Sequence, residues 1–151
     1  MLAGHPYIIY DEYLNMGIVK KLRAKGIGII TEEAVSESET WEEVKKLVKK
    51  PFWTLQRRIY GAACVLLRQK LIDGIVYLSS FACGIDSVII DLIRYCIGYF
   101  PMLVIKLDEH TGEAGMDTRV EAFIDMLERR VRNENYNPSP RECLLSGQNP
   151  V

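Results

Sequence analysis

The feature that most constrains the fold of this chain is the run IVYLSSFACGIDS at residues 75–87, in which an apolar strand breaks at Cys83-Gly84 and continues directly into an apolar helix. Near-continuous apolar strands are typical of parallel sheets buried on both faces, and open α/β sheets bind ligands just beyond the carboxyl ends of such strands. Cys83 would therefore lie at that edge and beside a helix N-terminus, where the dipole and free amides favour the thiolate. We expect Cys83 to lie near the functional site.

Strand and helix patterns alternate along the remaining sequence. Strands are predicted at 7–10, 26–31, 72–80 and 102–107, and helices at 11–25, 41–50, 52–71, 86–99 and 116–132. This alternation predicts an α/β fold, a three-layer sandwich with a four-stranded parallel sheet of the flavodoxin-like or Rossmann-like kind. We expect one domain over residues 1–132 and a poorly ordered C-terminal tail at 133–151, where Asn, Pro and Ser are frequent.

The composition of the 151-residue chain narrows the classes of partner. It contains 19 Lys and Arg against 20 Asp and Glu, and its aromatic residues are not interleaved with a basic stripe. Neither a nucleic acid nor a membrane surface is therefore expected as a partner. The sequence has no signal peptide and no apolar run long enough to span a bilayer, so the cytoplasm is the expected location.

Cysteine and glycine patterns exclude two kinds of self-contained site. The four cysteines, at positions 64, 83, 96 and 143, include no Cys-x-x-Cys pair, so the chain alone is not expected to hold a zinc or iron–sulfur centre, and no disulfide framework is implied. Cys64 and Cys96 lie on apolar helices and are predicted core residues, whereas Cys143 belongs to the tail. No Gly-x-Gly-x-x-Gly or P-loop pattern is present, so no ATP site is expected.

Three sequence blocks, two of them at the ends of predicted strands, carry a resemblance to a known family. They are Gly-His-Pro-Tyr at 4–7 with Tyr-Asp-Glu-Tyr-Leu-Asn at 10–15, the block YLSSFACGIDS at 77–87, and Asp-Glu-His-Thr-Gly-Glu-Ala-Gly at 108–115. Together they resemble the 2-hydroxyacyl-CoA dehydratase superfamily, and most closely its activase-related branch, the CoA-substrate-specific enzyme activase-related proteins. The resemblance extends from about Gly4 to Leu127 and suggests the C-terminal domain of such a protein.

The resemblance implies an iron–sulfur protein that uses low-potential electrons. In the dehydratases an ATP-hydrolysing activator delivers one electron to a 4Fe-4S cluster, and a ketyl radical of the acyl-CoA then expels the hydroxyl group. Cys83 matches a cluster thiolate of the family, whose other cluster cysteines lie in a separate domain with no match here. The implied partners are thus a missing N-terminal domain or partner subunit with those cysteines, an ATP-dependent activator and an acyl-CoA. The chain is not expected to be active alone.

The candidate cofactor-binding residues are grouped around the Cys-Gly turn. Cys83 is the candidate metal ligand, although free cysteine is also common as a small buried residue at a tight turn. Ser79 and Ser80 could donate hydrogen bonds to a cluster sulfur or simply end the strand. Gly84 allows the turn. His5 could project into the same cleft or be a structural histidine, and Asp86 and Ser87 are predicted to cap the following helix.

The candidate catalytic residues lie in the third block. His110 is flanked by Asp108, Glu109 and Glu113, which could hold a cation or tune the imidazole as a general acid or base. The alternative is a loop histidine organised by a neighbouring carboxylate, with Glu113 placed favourably at the start of the last helix.

Two further alternatives concern the chain as a whole. The first is a non-catalytic α/β binding or assembly module that carries no cluster, and the second is a flavodoxin-like flavin binder, which would lack a convincing phosphate loop. The aromatic and basic stretch at 52–60 fits either nucleotide phosphates or a docking surface for another domain.

Overall fold

The computed structural model describes residues 1–81 and 83–136, with side chains described to residue 132, and shows an α/β fold. The strands are β1 (Leu2–Gly4), β2 (Ile75–Ser80) and β3 (Met102–Leu107). The helices are α1 (Pro6–Tyr10), α2 (Ile18–Ala24), α3 (Glu37–Lys45), α4 (Thr54–Arg68), α5 (Gly84–Ile97) and α6 (Glu113–Tyr136), with a short 3-10 turn (Glu32–Ala34) before α3.

The three strands form one parallel sheet in the order β1-β2-β3. Leu2 lies opposite Val76 and Ser80 lies opposite Leu107, so the carboxyl ends of β2 and β3 are level. Successive side chains of a strand point to opposite faces, and β2 is buried on both. Ile75 and Tyr77 pack with α3, α4 and α5, whereas Val76 and Leu78 pack with α1, α2 and α6. Helices therefore cover both faces of the sheet.

The predicted four-stranded sheet is wrong at its first two strands. Residues 7–10 form helix α1, because Pro6 suits a first helical position, where no N–H is needed, and the short helix buries Ile8 and Ile9. The first strand is instead β1. Residues 27–30 are not assigned to a strand, although the Leu2 amide donates to the Ile30 carbonyl at 2.9 Å. Because β1 has only three residues, it offers few backbone groups with which a fourth strand could form hydrogen bonds.

Several predicted helix boundaries also move. The helix predicted at 11–25 begins only at Ile18, because the Asp11 carboxylate accepts hydrogen bonds from the Tyr13 and Leu14 amides and Gly17 adopts a positive φ of 70°. Helix α3 begins within the predicted loop because the Ser36 hydroxyl accepts from the Glu39 amide as its N-cap. The helices predicted at 41–50 and 52–71 end earlier, at Lys45 and Arg68.

The structure also bears on the predictions made for the C-terminal residues and for the cysteines. Helix α6 begins at Glu113 and continues to Tyr136, so it overlaps the tail predicted from residue 133, whose remaining residues 137–151, with Cys143, lie outside the described part of the chain. Cys64 and Cys96 lie in the α4–α5 layer as predicted, but they are joined in a disulfide, which no motif in the sequence indicated. Among the described helices none is long and apolar enough to cross a membrane.

Candidate functional site

The candidate site lies between the carboxyl ends of β1 and β2. His5 directly follows β1, and Cys83 lies three residues beyond β2. The chain leaves β1 into α1 on one face of the sheet and leaves β2 into α5 on the other face. A crevice forms where neighbouring strands send their connections to opposite faces, and open α/β sheets bind their ligands there. The fold thus brings two sequence-predicted residues, His5 and Cys83, to one crevice.

His5, Cys83 and Asp86 form a compact group of metal-ligating side chains. Each offers one ligand atom, and these atoms all lie within 4.8 Å of one another; among the side chains described, those of residues 1–81 and 83–132, no other three His, Cys, Asp or Glu side chains meet in this way. His5 Nε2 is 3.5 Å from Asp86 Oδ1. Cys83 and His5 are partly buried and Asp86 is fully buried, with 0% of its surface exposed.

Two buried hydroxyls hold the Asp86 carboxylate. The Tyr77 hydroxyl donates to Oδ1 at 3.0 Å and the Ser79 hydroxyl donates to Oδ2 at 2.9 Å. Burial raises the pKa of Tyr77 far above its ordinary value, and the negative charge of Asp86 adds to the shift, so this hydroxyl remains a donor. Asp86 is therefore a fixed hydrogen-bonded carboxylate, and it is the nearer acceptor for the Ser79 hydroxyl, which also reaches the Ser80 carbonyl at 3.2 Å.

The other side of His5 contacts α4 and the end of β2. Gln56, in the first turn of α4, places its Nε2 3.3 Å from His5 Nε2. The Tyr7 ring stacks on the His5 ring with 5.3 Å between centroids, and its hydroxyl is 3.0 Å from the Ser80 hydroxyl. The imidazole is thus held on two sides, and Ser80 is engaged with Tyr7.

Cys83 is the N-cap residue of α5, and Gly84 is the first helical residue. The Cys83 side chain makes no capping hydrogen bond, whereas its carbonyl accepts from the Ser87 amide and hydroxyl, both at 3.2 Å. The prediction that Asp86 and Ser87 cap this helix is corrected accordingly, because Asp86 points inward to Tyr77 and Ser79. Among the described cysteines only Cys83 is free, and its thiol lies at the positive end of the helix dipole.

The predicted acid–base residues lie in a different environment. The loop after β3 begins at the same edge, since the Phe81 amide donates to the Leu107 carbonyl at 2.8 Å. Glu109 and His110 are adjacent, with 3.7 Å between carboxylate and ring, and their side chains are 81% and 86% exposed. Glu113 accepts from Lys21 at 2.7 Å. None of the three joins the group around Cys83, and their catalytic role stays a prediction.

Asp108 explains the shape of this loop. Its carboxylate accepts from the Thr111 hydroxyl at 2.7 Å and from the His110 amide at 3.0 Å. The hydrogen bond from Thr111, followed by that from His110, lowers the pKa of Asp108 below its ordinary value. This arrangement matches the alternative of a loop organised by a carboxylate.

The sequence analysis missed three contributors to the site: Asp86 as an inward-facing carboxylate, Tyr77 and Gln56. One signal was available, because Tyr77 and Ser79 are polar residues two apart in an apolar strand and so share a face.

A second buried carboxylate, Glu32, lies close enough for its charge to contribute to the raised pKa of Tyr77. Burial raises the pKa of Glu32 itself.

The donor set is only part of what a metal centre needs. Both Asp86 oxygens already accept hydrogen bonds and His5 Nε2 faces the Gln56 amide, so among the described residues the Cys83 sulfur is the ligand atom of this group with no hydrogen-bond partner. A structural zinc ion takes four ligands, and a 4Fe-4S cluster is typically held by four thiolates. The residues present therefore fit one portion of such a centre.

Comparison with known proteins gives one match. A family described as a CoA enzyme activase uncharacterised domain matches residues 1–35, which include β1, His5, α1 and α2 and end before β2 and Cys83. No curated protein and no solved structure shows a significant match. Over this first stretch the chain is similar to activase-related proteins.

Proposed function

We propose that this chain is the cluster-associated domain of an activase-related iron–sulfur protein and that Cys83 supplies one thiolate ligand to a low-potential redox centre. The observation that carries the proposal is the position of Cys83: a free thiol at the N-terminus of α5, in the crevice between β1 and β2, within 4.8 Å of the nearest ligand atoms of His5 and Asp86. The similarity of residues 1–35 to a CoA enzyme activase domain supports the same direction.

The remaining ligands come from outside the described residues in this proposal. They belong to a missing N-terminal domain or a partner subunit, and an ATP-dependent activator and an acyl-CoA are the proposed partners of the complete cytoplasmic system. In the intact protein, residues 27–30 would extend the sheet beyond β1 and give a flavodoxin-like strand order; the hydrogen bond between Leu2 and Ile30 supports this extension.

Each residue of the crevice has a distinct task in this proposal. When bound, the cluster supplies one-electron chemistry at low potential. The Cys83 thiolate ligates it, assisted by the dipole of α5. His5 donates a hydrogen bond toward the centre or ligates it, because its ring is held by Gln56 and Tyr7. Asp86, fixed by Tyr77 and Ser79, orients the His5 ring.

The exposed pair Glu109 and His110 is the proposed source of acid–base chemistry at the same edge of the sheet. Both side chains are exposed, so a substrate carried by a partner could reach them. Glu113 is engaged with Lys21 and would contribute to the position of this loop through the start of α6.

A second candidate function is a binding or assembly module without a cluster. The hydrogen bonds around Asp86 favour it, because both carboxylate oxygens and both hydroxyl donors are paired without a metal. Cys83 would then be a structural residue at a tight turn.

Iron and acid-labile sulfide content distinguish the two candidates. The intact protein, purified without oxygen, is compared with its Cys83→Ser and Cys143→Ser variants; the second makes the same chemical change outside the described residues. We expect stoichiometric iron and sulfide in the wild type and in Cys143→Ser, and loss of most of both in Cys83→Ser. If all three proteins remain empty after reconstitution, the cluster proposal fails and the assembly module is favoured.

A further inference from the structure

A cavity of about 450 Å³ lies between α3 and α4, and its lining shares no residue with the group around Cys83. The two helices touch one turn further along α4, where a Cβ on Gly61 would lie 2.4 Å from the Thr40 carbonyl oxygen. The lining includes Ser38 and Trp41 of α3 and Thr54, Arg57 and Arg58 of α4. The proposed redox function assigns no role to this space.

The walls of the cavity carry unbalanced positive charge. Arg57 and Arg58 line it against one acidic residue, Glu37. Lys50 and Arg57 both lie over the Trp41 ring, 5.2 and 5.5 Å from its centroid. Other cations of these helices are paired with carboxylates, as Lys45 with Glu42 and both Lys46 and Arg68 with Glu43. Arg57 also donates to the Thr54 hydroxyl at 3.1 Å, but among the described residues neither Arg57 nor Arg58 has a carboxylate oxygen within 4 Å.

Arg58 lacks a hydrogen-bond acceptor within the described residues. Its Nε is buried and makes no hydrogen bond. The Glu32 carboxylate attracts it electrostatically, but the buried Glu32 Oε2 has no hydrogen-bond partner either, so this charge does not satisfy the Arg58 donor. Buried donors in native proteins nearly always have an acceptor, and the planar guanidinium fork matches phosphate oxygens. The Nε atom is closed to solvent, so an anion in the cavity would contact the terminal nitrogens of the Arg58 guanidinium group.

The start of α4 adds backbone donors to the same place. Trp53 is its N-cap residue and makes no side-chain capping hydrogen bond, and Thr54, the first helical residue, lines the cavity. Amides in the first turn of a helix have no partner within the helix and carry a partial positive charge, which favours phosphate.

We propose that this cavity binds the phosphate group of a small phosphorylated ligand. Arg58 and Arg57 hold the phosphate oxygens, the first turn of α4 donates from its backbone, and Trp41 forms the wall beside them. This site lies apart from Cys83, so it stands or falls independently of the redox proposal.

Binding of inorganic pyrophosphate to the full chain tests the site. In a Trp53→Phe background Trp41 is the only tryptophan, so its fluorescence reports on the cavity directly. We expect saturable pyrophosphate binding at constant ionic strength, weakened about tenfold or more by Arg58→Gln. Arg23→Gln on α2 is the matched control, because it removes the same charge from an exposed arginine outside the cavity, and it should bind as the parent does.

Further arms keep the test decisive. Circular dichroism checks that each variant is folded, and Arg57→Gln gives a second perturbation of the lining that should also weaken binding. Malonate, a carboxylate dianion, should bind much more weakly than pyrophosphate, because its planar carboxylates lack the tetrahedral arrangement of oxygens that a phosphate presents. Absence of saturable binding, equal affinities for the two anions, or equal effects of Arg58→Gln and Arg23→Gln would overturn the proposal.

Discussion

Replacing Asp86 with alanine should destabilise the protein, because its carboxylate accepts hydrogen bonds from two buried hydroxyls. The Tyr77 hydroxyl would lose its acceptor, whereas the Ser79 hydroxyl also reaches the Ser80 carbonyl at 3.2 Å. Tyr77 and Ser79 are 0% and 2% exposed, so water cannot replace the lost acceptor in the present packing. A buried donor left without a partner costs about 1–3 kcal/mol, and loss of the hydrogen bond from Ser79 costs about 0.5–1.5 kcal/mol. Asp86→Ala should therefore lower the free energy of unfolding by about 1.5–4.5 kcal/mol, a large share of the roughly 5–15 kcal/mol of a typical domain.

Urea denaturation followed by far-UV circular dichroism measures this effect. Asp91→Ala is the matched control on the same helix, since its side chain is 76% exposed and only faces Arg94 at 3.6 Å, and it should change stability by no more than about 0.5 kcal/mol. The double variant Tyr77→Phe with Asp86→Ala should lose less stability than the sum of the two single variants, by about 0.5–3 kcal/mol, because both substitutions remove the same hydrogen bond between Tyr77 and Asp86. Equal stabilities of Asp86→Ala and Asp91→Ala would refute the reasoning.

Two further predictions concern the surroundings of the site. Gly61→Ala should lower the free energy of unfolding by about 1–3 kcal/mol, because its Cβ would meet Thr40 backbone atoms at 2.4 and 2.8 Å. The control Gly115→Ala, in the first turn of α6, has open space around its Cβ and should raise the free energy of unfolding by up to about 1 kcal/mol. Similar changes in the two variants would contradict this packing. Burial raises the folded-state pKa of Glu32 above the ordinary value of 4.5, so the folded protein keeps the Glu32 carboxyl protonated to a higher pH than the unfolded chain does. The free energy of unfolding of the wild type therefore falls as pH rises from 4.5 through the folded-state pKa. Glu32→Gln should then stabilise the protein at pH 7 and lose that advantage as pH is lowered toward 4, unlike the control Glu33→Gln; an advantage that does not change with pH would oppose the burial argument.

The sequence predicted the second half of the fold better than the first. The run around β2 and α5 combines an apolar strand, a Cys-Gly break and an apolar helix, and each signal is local, so Cys83 was placed correctly beside a helix N-terminus. Residues 7–10 carry β-favouring Tyr and Ile, but Pro6 and the burial of Ile8 and Ile9 favour a helical turn. Burial of this kind depends on tertiary packing, which a local pattern does not contain.

The residues of the candidate site show the same difference between local sequence signals and tertiary contacts. Cys83 was recognised because it follows a predicted strand end, and His5 because it belongs to one of the blocks that carry the family resemblance. Asp86 was predicted as a cap from its position, whereas the structure turns it inward to meet Tyr77, Ser79 and His5. Gln56 reaches His5 from a helix 51 residues away in sequence. Such contacts follow from how β1, β2 and α4 are assembled, and no spacing rule within a single element reports them.

The proposed function requires that Cys83 ligate an iron–sulfur centre in the crevice between β1 and β2. Iron-edge anomalous diffraction from crystals of the intact protein, grown without oxygen, locates any bound iron. We expect an anomalous peak at bonding distance from the Cys83 sulfur, beside the His5 ring. An iron site elsewhere in the protein, with the Cys83 thiol uncoordinated, would rule out this role of Cys83.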